Sequence, residues 1–173
     1  MSRGAAALLA LAAACGPGRD SPTAEPGTEL YATSPGAVDE ILFSSRERKM
    51  LAFRRTPGAP FELLFVNAGD AGVERCAAGD GFQRWLTAVS SLPIARRLDP
   101  PVDARASGWA DLRLRDSTGM EPIDVRLRIP PADQDSVVVR VDAQQYVADV
   151  DATVLRSVVS GCRALGAASP AVR

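Results

Sequence analysis

The pattern of apolar and polar positions changes character several times along the chain. An unbroken apolar run covers residues 5–14, preceded by a single cation, Arg3. The run is far short of the ~20 residues that a membrane-spanning helix requires, and it has the build of the apolar region of an export signal. From residue 38 onward the apolar positions recur with period two. Residues 38–43, 50–54 and 61–66 are predicted strands, with a weaker fourth at 73–76. Further along, Leu112 and Leu114 alternate within 111–115, and Ile123, Val125, Leu127 and Ile129 alternate with Asp124, Arg126 and Arg128. Val137, Val139 and Val141 follow, then a short strand through Tyr146, Val147 and Ala148. Alternation with β-branched residues predicts antiparallel strands, one face buried and the other in water.

Two segments switch to helical period. Over residues 81–92 the apolar positions are Phe82, Trp85, Leu86, Val89 and Leu92; over 152–165 they are Leu155, Val158, Val159, Cys162 and Leu165. Each set forms a single stripe along one helix face. Asp80 and Gln83 have the spacing of a capping box, and Asp151 is placed as an N-cap. The stretch Thr56-Pro57-Gly58-Ala59-Pro60 and the link from Asp99-Pro100-Pro101 to Ser107 have turn composition. Each half therefore reads as three or four strands followed by a helix. The expectation is an α+β protein of two tandem antiparallel β-meander-plus-helix units, residues 34–99 and 107–165. They should share one core, because neither sheet is large enough to stand alone comfortably.

Composition narrows the chemistry. The 173 residues are 46% hydrophobic and 24% charged, with 20 Lys+Arg against 21 Asp+Glu, a formal charge of −1. That balance removes the electrostatic case for a nucleic-acid binder. The chain has no His, which excludes Ser-His-Asp, Cys-His and His-ligated metal chemistry. Its carboxylates, among them Asp39, Glu40, Asp133, Asp135, Asp149 and Asp151, fall where turns and caps are expected. Asp149-x-Asp151 alone is too short a match to a calcium loop, and no phosphate-binding loop, dinucleotide fingerprint or nucleophile elbow is present. A protein without catalytic residues, cofactor or metal is expected. The competing class is a hydrolase of the cell envelope that uses carboxylates alone.

The apolar run ends at Leu11-Ala12-Ala13-Ala14-Cys15-Gly16. Small residues directly before a cysteine resemble the lipobox of bacterial lipoproteins, in which Cys15 becomes the lipidated first residue of the mature chain. Ordinary cleavage after Ala14, leaving Cys15 a free thiol, is the other reading. Each buried acyl methylene contributes ~0.8 kcal/mol, so several chains on one cysteine anchor a protein stably. Residues 1–14 are thus the expected signal peptide. Residues 15–33, rich in Pro and Gly, are a semi-rigid tether, and 166–173 a frayed tail. The expected location is exported, on the periplasmic or cell-surface side, with the membrane as a partner through the lipid.

Two sets of residues remain. Cys76 and Cys162 are the cysteines left once Cys15 is lipidated, and an oxidising compartment favours their pairing. Closing their 86-residue separation would stabilise by roughly 4 kcal/mol in the chain-entropy model. Two separate buried thiols are the alternative. On the strand phases above, Arg113, Arg115, Arg126, Arg128 and Arg140 all point away from the buried side. Such a cluster is either a face for an acidic partner or anionic polymer, or a solvated sheet face with Asp111 and Asp124 as cross-strand partners. Trp85 is expected in the core, and Trp109 either in the core or as a lid on a groove.

With that layout, residues 38–43, the later Pro60-Phe61-Glu62-Leu63 and the helix around Phe82–Leu92 resemble the family called domain of unknown function 4340. So does the ending: residues 137–142, then Tyr146, Val147, Asp149, Val150 and Asp151 before a short amphipathic helix. The likeness covers most of residues 34–165 as a pattern of alternation and spacing. It implies an envelope protein with a protein partner, auxiliary to a membrane assembly of the gliding-motility or ABC-transporter type. The family has no established catalytic residues to carry over. This chain departs from many members in being short and, on the lipobox reading, lipid-anchored.

Overall fold

Period-two alternation has to bury one side of every strand, and a single wide sheet is how this chain does it. The computed structural model describes residue 29 and residues 34–69, 72–103, 105, 108–116, 125–141 and 143–166. The expected signal peptide and Cys15, the tether apart from Glu29, and the strand start at Ile123 and Asp124 lie outside the described residues, as does the tail beyond Gly166.

Among the described residues, nine strands form one antiparallel sheet. They are β1 (Val38–Ser44), β2 (Arg48–Phe53), β3 (Glu62–Asn67), β4 (Val73–Ala77), β5 (Ile94–Arg97), β6 (Trp109–Asp116), β7 (Val125–Arg128), β8 (Val137–Val141) and β9 (Gln144–Ala148). The spatial order is β4-β3-β2-β1-β6-β7-β8-β9-β5. Strands β1 to β4 follow one another as neighbours, as do β6 to β9, and the two runs meet where β1 pairs with β6. The expected α+β class is what the chain adopts. The short β5 was not expected: Ile-Ala-Arg-Arg carries one large apolar residue and no alternation. It crosses to the far edge, where it pairs with β9 through an irregular register. Its Arg96 and Arg97 are exposed there, as suits an edge that must not recruit other chains.

The helical layer covers one side of the sheet. Helix α1 (Asp80–Ser91) buries Phe82, Trp85, Leu86 and Val89, and Leu92 just beyond it is buried as well. Trp85 meets Phe43 edge-on at 6.1 Å between ring centroids, and Phe82 lies 5.0 Å from Phe61. These rings join Ile41, Met50, Phe65, Leu112, Leu127 and Val139 in one continuous core. Leu92 ends the helix in the left-handed region (φ 45°) and turns the chain towards β5.

Two local expectations are corrected. The capping box at Asp80 and Gln83 is not formed: Gly79 is the N-cap and no side chain caps the helix. Main chain does that work, with the Gly79 N–H donating to the Leu165 carbonyl and the Phe82 and Gln83 N–H groups donating to the Gly79 carbonyl. The second helix is broken into α2 (Ala152–Arg156), a 3₁₀ turn (Ser157–Ser160) and α3 (Cys162–Leu165). Gly161 takes φ +61° at the break, a conformation that suits glycine. The tightened turn rotates Val159 out of the stripe, so it is 52% exposed, whereas Leu155, Val158 and Leu165 are fully buried. Asp151 does cap α2, accepting from the Thr153 N–H at 2.7 Å.

The seat of α1 against α3 leaves no room for a side chain at Gly81, where an added Cβ would stand 1.9 Å from the Ala164 carbonyl oxygen. Gly81→Ala must separate two main-chain segments, at a cost of about 2 kcal/mol in overpacking. A thermal melt should then show the midpoint lower by roughly 5 °C.

Candidate functional site

The side of the sheet opposite the helices carries the chemistry. Residues in register there run across several strands. One row is Arg75, Leu64, Leu51, Leu42 and Arg113, from β4 to β6. A second is Glu62, Phe53, Glu40 and Arg115, and a third runs from Asp111 through Arg126 to Arg140. All five expected arginines share this face. Arg113 and Arg115 are exposed, whereas Arg126, Arg128 and Arg140 are partly buried.

Each arginine has its own surroundings. Arg115 donates to Glu40 at 2.8 Å, and Arg126 pairs with Asp111. Asp111 therefore takes the cross-strand role expected of it, while Asp124 is outside the described residues. Both pairs are half-exposed, and pairs of that kind contribute about 0–1 kcal/mol, so a competing anion meets little resistance. Arg140 lies 6.0 Å above the ring of Trp109. Trp109 itself faces this open side, half-buried, in register with Arg128 and not beneath the helices. Arg113 lines a shallow cavity of about 100 Å³ with Glu40, Leu42 and Arg115.

One end of the open face is closed by the chain itself. Gln145 on β9 is buried, and its side-chain amide pairs with both main-chain groups of Val102: Oε1 accepts from the N–H at 2.9 Å and Nε2 donates to the carbonyl at 2.8 Å. Val102 of the link is thereby held against β9. The other end, over β1 to β4, keeps leucines at its surface. A cavity of about 470 Å³ opens there, lined by Phe53, Arg55, Glu62, Leu64 and Arg75 among others. This apolar floor was missed by reasoning from alternation. Its signal was present in Ile41-Leu42-Phe43, Met50-Leu51-Ala52-Phe53 and Leu63-Leu64-Phe65, where apolar residues occupy both phases. Strands of that composition have two faces to cover, not one.

A second cavity, about 480 Å³, lies on the helix side between the β1–β2 turn, the Pro130-Pro131 loop and the 3₁₀ turn. Arg156 fixes its wall by donating through Nη1 to the carbonyls of Pro131 and Gln134 at 3.1 and 2.9 Å. Each of these three cavities has a single carboxylate in its lining. Among the described residues no group of three Cys, Asp or Glu is placed to hold a metal ion, and no helix is long and apolar enough to cross a membrane.

The cysteines come together. The sulfurs of Cys76 and Cys162 are at bonding distance, 2.16 Å, with Cα atoms 6.0 Å apart. The link ties β4, at the sheet edge, to the start of α3. Around it, the Cys162 N–H donates to Glu74 at 3.3 Å, and Arg48 reaches Glu74 at 3.6 Å while lying over the Phe65 ring. Gly161 and Gly166 give this cluster its space: a Cβ at Gly166 would stand 2.4 Å from the Cys76 sulfur.

The chain matches no family model, no curated protein and no solved structure.

Replacing both Cys76 and Cys162 by Ser should cost about 3 kcal/mol. Under oxidising conditions that is a fall of roughly 10 °C in melting midpoint. Adding reductant to the wild-type chain should bring its midpoint down to that of the double variant.

Proposed function

We propose that the chain is an exported bacterial lipoprotein, held to the membrane through acylated Cys15, whose α+β domain is a non-catalytic binding or scaffolding module of the cell envelope. In this reading the domain is two tandem meander-plus-helix units sharing a core, the first ending in α1 and the second in α2 and α3. The Pro/Gly-rich residues 15–33 hold it off the membrane, on the periplasmic or cell-surface side.

The observation that carries the binding role is the one-sided cover of the sheet. Helices pack on the core face, while the other face presents Arg113, Arg115, Arg126, Arg128 and Arg140 beside half-buried leucines. A cationic face with an apolar floor is suited to a partner that brings carboxylates and apolar side chains together. The lipobox-like Leu11-Ala12-Ala13-Ala14-Cys15 supports the anchor, and the paired Cys76 and Cys162 are in keeping with an oxidising compartment. The likeness to domain of unknown function 4340 adds a candidate setting, an assembly of the gliding-motility or ABC-transporter type, as the source of the protein partner.

Intact mass of the protein from membranes of its native host, purified without reductant in mild detergent, tests the reading. The expected species begins at Cys15, carries two or three acyl chains and has no thiol that alkylates. It should also sediment as part of a larger complex, from which the Arg128→Glu/Arg140→Glu double variant is released while still folded. A soluble, unlipidated and monomeric chain would overturn the proposal.

A further inference from the structure

The leucine floor of the open face has dimensions that select among partners. Leu64, Leu51 and Leu42 stand side by side on β3, β2 and β1, all half-buried. Adjacent strands are ~4.8 Å apart, so the three leucines make a trough ~10 Å wide. The same row continues to Arg75 on one side and Arg113 on the other, which sets the two cations ~19 Å apart. Along the strands the floor runs from Phe53 at one end to Val66 at the other; Val66 is 39% exposed. That is four residues of strand, about 13 Å.

An α-helix with its side chains is ~10–12 Å across and rises 1.5 Å per residue. A helix laid along β2 fills the trough in width, and about 9 residues fill it in length. Its apolar stripe would rest on the leucines, and carboxylates flanking the stripe would reach Arg75 and Arg113.

We propose that the open face over β1 to β4 is the seat of an amphipathic helix of a partner protein, with a leucine-type stripe and acidic flanks, making about two and a half turns of contact. The proposal deepens the binding-module reading and rests on it. A second copy of this chain does not fit, because two such faces would oppose Arg75 and Arg113 to cations. Nor does α1 fit as the occupant from a second copy, since its outward residues, Asp80, Gln83, Arg84 and Thr87, present no apolar stripe. A bilayer is the poorer match: the leucines lie half-buried between longer arginines, which a convex helix reaches and a flat surface does not.

The test uses the full chain with Cys15→Ser, which removes the anchor from the experiment and leaves the face intact. The probes are two fluorescent 18-residue helical peptides with the same leucine stripe, one flanked by Glu and one by Lys, and vesicles of phosphatidylglycerol. The Glu-flanked peptide should bind at least 10-fold more tightly than the Lys-flanked one, and its affinity should fall as salt is raised. Leu51→Ser and, separately, Arg75→Glu should each weaken binding at least 10-fold. Because Arg75 is a surface residue, its variant keeps the test valid should Leu51→Ser fold poorly. Equal binding of the two peptides, binding of neither, or binding unmoved by Arg75→Glu would overturn the proposal. Vesicle binding lost in Arg75→Glu without peptide binding would overturn it in favour of a membrane surface. None of these results touches the acyl mass at Cys15, so failure here is distinct from failure of the lipoprotein reading.

Discussion

Pairing of β1 with β6 is the constraint on which the rest of the structure depends. That ladder sets Ile41 against Leu114 and Phe43 against Leu112 on the helix side, and Glu40 against Arg115 and Leu42 against Arg113 on the open side. A slip of one residue would either turn Arg113 and Arg115 under the helices or put Ile41 and Phe43 in water. Burying unpaired charge is far more costly than any gain from an altered ladder, so one-sided burial holds the register. Trp85 then finds Phe43 as its edge-on neighbour, and α1 is fixed over the join between the two four-stranded runs. The arginine face is the other consequence of the same register.

The outer strands depend on additional ties. β4 has five residues, one of them the half-exposed Val73, and only β3 as a strand neighbour. The Cys76–Cys162 link and the Arg48–Glu74–Cys162 contacts connect it to the helical layer across 86 residues of chain. The position of Arg75 on the open face follows from that attachment. At the opposite edge β5 is held by β9, and its preceding residue Pro93 is bridged by Glu29 and accepts the Asp149 N–H at 2.7 Å. Both edges are therefore secured by contacts between residues distant in sequence.

Much of this was legible beforehand, and the reasons for the rest are physical. Alternation in β6, β7 and β8 identified both the buried set and the arginine phase, because a strand with one wet face declares both. The α1 stripe was equally plain. β5 was not, since four residues with one large apolar side chain carry no period. The break at Gly161 was hidden because the apolar stripe continues on both sides of it, and the exposed Val159 marks where the 3₁₀ turn leaves the stripe. Asp80 looked like a cap, yet Gly79 and the Leu165 carbonyl supply that function through contacts no local pattern encodes. The leucine trough was missed for the opposite reason. Leu42, Leu51 and Leu64 are in the sequence as apolar residues in the wet phase, and were absorbed into strands expected to have a single buried face.

The claim that this wet phase serves binding is tested most directly by hydroxyl-radical footprinting of the protein in native membranes and after purification. Phe53, Leu51 and Leu64 report the open face, and the exposed Val159 on the helix side serves as reference. Oxidation of the open-face residues should be several-fold lower in membranes than in the purified chain, with Val159 unchanged. Equal oxidation of Phe53, Leu51 and Leu64 in the two preparations would contradict a docked face and leave a sheet whose second side is only solvated.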